Sequence, residues 1–134
     1  MKRSLTLMFA ALATPAVAFA CDSGPLIVET TVEPAEIAGM GAGAQLTFTF
    51  TNTGERTLVL ASGTVEVCDG LDRCSELLGA FPRAPNLVSG GKVQTEFLTA
   101  GTIADLVSLD SSFWRARACL DEVMYADGSR ETFD

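Results

Sequence analysis

Four cysteines are the residues of this chain best placed to do chemistry: Cys21, Cys68, Cys74 and Cys119. Thiols can bridge, bind soft metals or exchange electrons, and spacing decides among these uses. No two cysteines stand two to four residues apart and the chain has no histidine, so the usual zinc spacings are absent. A thioredoxin-type redox pair has two residues between its cysteines, whereas Asp69 to Arg73 separate Cys68 from Cys74. Structural disulfides remain, and an even number in an exported chain points to two. Cys68 and Cys74 bracket the turn-like run Asp69-Gly70-Leu71-Asp72-Arg73, and strands on either side of such a turn bring two cysteines within bridging distance. That pairing leaves Cys21 for Cys119, a bridge closing about 98 residues and stabilising the fold by up to roughly 4–5 kcal/mol in the chain-entropy model. A rival pairing rests on strand alternation. If Val65 and Val67 point inward, and Trp114 and Leu120 likewise, then Cys68 and Cys119 both point outward and could meet on neighbouring strands.

Catalysis has few residues to draw on. Without histidine, the common nucleophile–base pairs cannot be built. Lys92 is the one lysine beyond the first twenty residues, and it adjoins a glycine turn. Paired carboxylates serve glycoside chemistry, but no acidic pair stands out and a small sandwich has little room for a deep cleft. Asp69 and Asp72 share a turn, and Asp121, Glu122 and Asp127 cluster near the end. Calcium uses such loops, yet no recognised calcium-loop spacing is present, and these acids read as solvated turn residues. Met40 and Met124 are too far apart in sequence to suggest copper. The reading is a chain with no enzymatic activity, no catalytic residue, no metal site and no cofactor.

The setting for the cysteines comes from residues 1–20. Met1, Lys2 and Arg3 form a positive head, an apolar stretch follows from Leu5 to Phe19, and Ala18-Phe19-Ala20 supplies a small-x-small end. These are the three parts of a bacterial secretory signal peptide. The run is shorter than the ~20 apolar residues a membrane span needs. Cleavage between Ala20 and Cys21 leaves a single domain, residues 21–134, exported to the periplasm or beyond, with no transmembrane segment. Lipoproteins are also cut before a cysteine, which makes a lipid anchor on Cys21 the alternative. The bulky Phe19 suits a lipobox poorly, and lipidation would leave an odd number of thiols.

Loss of Lys2 and Arg3 takes the formal net charge from −8 to −10. Such a surface repels phosphate backbones, which excludes nucleic acid as a partner and leaves a protein or another cell-envelope component.

The elements that hold these residues read as strands. Leu26 to Val32 is rich in Val, Ile and Thr, with Pro34 ending or bending it; Glu36 to Ala44, with Gly39, Gly41 and Gly43, reads as a connection. Leu46, Phe48 and Phe50 alternate with Thr47, Thr49 and Thr51, a period of two, before the turn Asn52-Thr53-Gly54-Glu55. Thr57–Leu60, Thr64–Cys68, Ser75–Phe81, Leu87-Val88 and Lys92–Leu98 continue the series. Ile103, Leu106, Val107 and Leu109 stand near helical spacing and suggest one helical turn. Phe113–Leu120 is a strand that makes Trp114 a core residue, and Asp127-Gly128 marks a hairpin joining Glu122–Ala126 to Arg130–Phe133. Seven or eight short strands with turns about every ten residues predict an all-β, immunoglobulin-like sandwich.

Leu46-Thr47-Phe48-Thr49-Phe50-Thr51-Asn52-Thr53-Gly54 resembles the strand and Asn-x-Gly turn near the start of bacterial immunoglobulin-like domains of the CARDB type, the cell-adhesion-related domain found in bacteria. Trp114 to Asp121 resembles that family's late strand, and Gly90-Gly91-Lys92-Val93 sits where the family enters a strand. The ending Met124 to Asp134 and the stretch Ala100 to Ser112 depart from the pattern. The resemblance implies a seven-stranded sandwich with a binding or adhesive role, and it carries over no functional residue. The sequence thus leads to an exported, non-catalytic binding or structural module. A membrane-tethered lipoprotein and a small periplasmic enzyme or enzyme inhibitor stand as alternatives.

Overall fold

The computed structural model describes residues 24–133. The cleavage point Ala20/Cys21 lies outside them. Seven strands form two antiparallel sheets. The first holds β1 (Leu26–Ile37), β2 (Gly41–Asn52) and β5 (Lys92–Thr99) in the order β1-β2-β5. The second holds β3 (Leu58–Asp69), β4 (Cys74–Glu76), β6 (Trp114–Tyr125) and β7 (Arg130–Thr132) in the order β4-β3-β6-β7. The chain is an all-β sandwich, and the three-plus-four arrangement is immunoglobulin-like.

Alternation builds the first sheet. Leu46, Phe48 and Phe50 are buried on β2, and Thr47, Thr49 and Thr51 face outward between Glu29 and Thr31 of β1 and Gln94 and Glu96 of β5. The register of β2 with both neighbours runs without a shift. β1 continues through Pro34, which pairs opposite Ala44, instead of stopping there. An edge strand tolerates this because proline's missing N–H need not face a partner. The stretch Glu36–Ala44 is therefore a tight hairpin and no loose connection: Met40 N–H donates to Ile37 O at 2.9 Å, and Gly39 supplies the positive φ of 81° that the turn requires.

Against this sheet pack Leu58, Val65 and Val67 of β3 and Ala118, Leu120, Val123 and Tyr125 of β6. Phe81, from the long β4–β5 connection, meets Phe50 edge to face at 5.6 Å between ring centres. The helical spacing after β5 becomes α1 (Thr102–Val107), which buries Ala104 and Val107. Trp114 is half-buried at the margin of the core, where its indole N–H donates to Leu109 O at 3.3 Å. Leu87 makes a single bridge to Leu58, the remnant of the expected brief strand.

The separate strands expected at Phe113–Leu120 and Glu122–Ala126 are one strand. β6 starts at Trp114, after a 3-10 turn at Ser111–Phe113, and runs to Tyr125. What looked like an interruption is a bulge.

Candidate functional site

The sequence-selected cysteines come first. Cys68 and Cys74 are register partners on β3 and β4, with Cα atoms 4.0 Å apart, and they are joined by a disulfide. This decides between the two pairings weighed for Cys68. β3 and β6 are indeed neighbours, but Arg115, not Cys119, lies opposite Cys68, and Cys119 lies opposite Thr64. Cys119 is itself disulfide-bonded; Cys21, the partner expected for it, is outside the described residues. Ligand atoms of Glu66, Cys68 and Cys74 lie within 4.8 Å of one another. Both sulfurs are spent in the bridge, however, and Glu66 accepts from the Arg117 guanidinium at 2.9 Å, so no thiolate is offered to a metal.

The turn acids are acceptors for their own loops. Asp69 Oδ1 takes the backbone N–H groups of Arg73 at 3.0 Å and Leu71 at 2.8 Å. The Arg73 N–H above all holds this carboxyl below its usual range. Asp127 is held low by the Ser129 hydroxyl, then by the Ser129 N–H. Asp72 accepts from Arg115 at 3.0 Å. These carboxylates are dispersed, each with its own partner, and do not converge on one point.

A different place converges. Between Leu58 and Leu60 the register of β3 against β6 shifts, and between Ser62 and Gly63 it shifts back. The first shift inserts Val59 into β3, and the second inserts Asp121 into β6. Each bulge reverses which face the following residues present. Leu58 is buried, yet Leu60, two residues on, is 47% exposed. Leu120 and Val123 are both buried although they are three apart. In consequence Leu60 and Met124 stand opposite each other on the outer face, with Arg130 beside Met124 on β7, and Ser62 stands opposite Glu122.

Gly63 permits the close approach at this point. A Cβ there would meet Cys119 O at 2.5 Å and the Phe81 ring at 2.9 Å. The β4–β5 connection supplies a wall, because Ala61 N–H donates to Arg83 O at 3.0 Å and ties Arg83 and Ala84 along the strand. The result is an open groove of about 730 Å3 floored by Leu60 and Met124 and flanked by Arg83, Glu122 and Arg130. Glu122 and Arg130 are ion-paired at 2.5 Å.

Of these residues only Met124 and Glu122 are weighed as candidate ligands in the sequence, for copper and calcium respectively. A signal was present nonetheless. Leu58 and Val65 differ in parity, as do Leu120 and Val123, and two apolar phases within one strand require a bulge.

Asn52, the Asn of the Asn-x-Gly turn, proves to be a fully buried side chain. Its amide nitrogen donates to Arg56 O at 2.9 Å and Leu87 O at 3.0 Å, and its oxygen accepts from Gly54 N–H at 3.0 Å. It locks the β2–β3 turn to the β4–β5 connection that goes on to wall the groove. Tyr125 closes the far end of β6. Its hydroxyl donates to Glu131 at 2.7 Å, and Arg56 lies 3.7 Å above its ring. Burial, followed by Glu131, raises the phenol above its ordinary pKa.

No helix among the described residues is long and apolar enough to cross a membrane. No protein-family model and no curated protein matches the chain. Among solved structures, an X-ray structure of Northeast Structural Genomics Consortium target SoR45 is similar, at 18% identity over 82% of this chain and 83% of that one, with a TM-score of 0.50. That likeness concerns the fold alone.

Proposed function

We propose that the protein is an exported, non-catalytic binding module, acting in the periplasm or outside the cell, whose contact surface is the groove on the four-stranded sheet. The observation that carries this reading is the pair of compensating bulges. They turn Leu60 and Met124 out of the core and set them side by side in a concave, open site. Bulges are over-represented beside functional sites because they re-aim side chains. Absence of a nucleophile–base pair and dispersal of the acids favour holding a partner over transforming one. The binding or adhesive role implied by resemblance to CARDB domains is in keeping with this.

Lipid tethering at Cys21 competes with a disulfide for the same sulfur. Cys68 and Cys74 hold each other and Cys119 is bonded as well, so the sequence offers Cys21 as its partner. Intact mass of the processed protein decides this: a start at Cys21 without acyl mass supports the soluble form, and an acylated Cys21 overturns it.

The contact surface is tested by placing a photo-crosslinking side chain at position 60 or position 49 of the full chain in exporting cells. The reading expects a discrete adduct from position 60 and none from position 49. Adducts from position 49 alone would refute it.

A further inference from the structure

The chemistry of the groove narrows what it holds; this step rests on the binding reading above. The chain is strongly acidic, at −8 overall, yet the groove is flanked by two arginines. Arg130 is committed to Glu122, with its Nε donating at 2.8 Å. Arg83 has no ion-pair partner among the described residues, so it is the uncompensated charge of the site. Leu60 and Met124 provide an apolar floor, and methionine adapts its shape to what lies on it.

We infer that the groove takes an extended polypeptide segment of a partner, with an apolar side chain on Leu60 and Met124 and a carboxylate on the Arg83 guanidinium. Charge complementarity sets the sign, since a guanidinium offers a carboxylate two parallel N–H donors. The open form of the groove sets the shape. An enclosed pocket would bury most of a small molecule, whereas a groove open to solvent along the sheet suits a chain lying across it. In an extended segment, residues two apart project on the same side about 7 Å from each other, which lets one face present an apolar and an acidic side chain together. A partner surface rich in lysine or arginine would be repelled at this point, although the rest of the protein would attract it.

The test is titration of the 15N-labelled exported protein with three peptides, acetyl-Gly-Leu-Thr-Glu-Gly-amide and its Gln and Lys counterparts. The inference expects the Glu peptide to shift the amides of residues 60–63 and 122–124. It should bind at least about fivefold more tightly than the Lys peptide at low salt, the order of one exposed ion pair. Arg83→Glu should reverse the order, and Arg83→Gln should abolish the difference, each with an undisturbed spectrum elsewhere. Equal binding of all three peptides in the groove would overturn the charge assignment and leave the groove as the contact site. Stronger shifts of the same amides by decanoate would overturn the peptide in favour of a small amphiphile. Shifts confined to residues 47–51, or none with any probe, would overturn both this inference and the binding reading beneath it.

Discussion

Each sheet of this sandwich is built on two strands of 12 residues, β1 and β2 in one and β3 and β6 in the other, yet the sheets differ in regularity. On the three-stranded sheet, β2 pairs with both neighbours without a register shift, and its outer face is mainly Thr, Glu and Gln, with Ile27 and Leu98 exposed on the flanking strands. On the four-stranded sheet, β3 and β6 carry a bulge each, a disulfide pins the β4 edge, and apolar side chains emerge beside arginines. A regular sheet has little freedom in what it shows to solvent, since period two dictates it. A bulged sheet can export a leucine without breaking the core behind it. In the proposed binding role, the first sheet is the scaffold and the second presents the contact face.

The comparison breaks most visibly if the scaffold is hollowed. Phe48 is fully buried in the middle of β2, and Phe48→Ala should cost about 3–5 kcal/mol in urea denaturation. Asn52→Ala comes next, at roughly 2–3 kcal/mol, because it empties a fully buried position and takes the side-chain partner from Gly54 N–H and Arg56 O in the part-buried turn, while Leu87 O keeps its bond from Leu58 N–H. Asn52→Asp should be more harmful at pH 7 than at pH 4, since its carboxylate would face those two carbonyls. Removing the Cys68–Cys74 bridge with paired alanines should cost about 2 kcal/mol in urea denaturation, the modest value of a short loop.

Smaller effects separate the sheets by pH. Asp69 and Asp127, both in turns of the four-stranded sheet, have lowered pKa values. Their contribution to stability is therefore present above the unfolded value of about 3.9 and is lost as pH falls through and below it. Asp69→Asn with Asp127→Asn should flatten that part of the acid stability profile. Tyr125 has a raised pKa, so its contribution is intact below about pH 10, the unfolded value, and is lost as pH rises toward the folded one. Tyr125→Phe should remove that alkaline loss, as read from denaturation midpoints between pH 8 and pH 11.

The same contrast explains what was legible beforehand. The Leu46-Phe48-Phe50 alternation announces β2 and its buried face, and it is what the structure shows. The two-sheet sandwich, the Cys68–Cys74 bridge and the final hairpin follow from local patterns of the same kind. Pro34 and the glycines near it hid the β1–β2 hairpin, because an edge position, which is a tertiary fact, excuses a proline that local propensity forbids. The groove was harder still. Leu60 and Met124 become neighbours only through the compensation of one bulge by another on a different strand. Arg83 reaches the site only through a backbone bond to Ala61. The parity clash within each strand marks a bulge, but no local period records that the two bulges compensate each other or that Arg83 lies beside them.

The central claim is that Leu60 and Met124 are held at the surface for contact and not for packing. Urea denaturation of the Leu60→Ser, Met124→Ser double variant beside Phe48→Ala tests this most directly. The account predicts a loss within about 1 kcal/mol of zero for the double variant, as for ordinary surface substitutions. A loss of 3 kcal/mol or more, comparable to that of Phe48→Ala, would contradict it and make the two side chains part of the core.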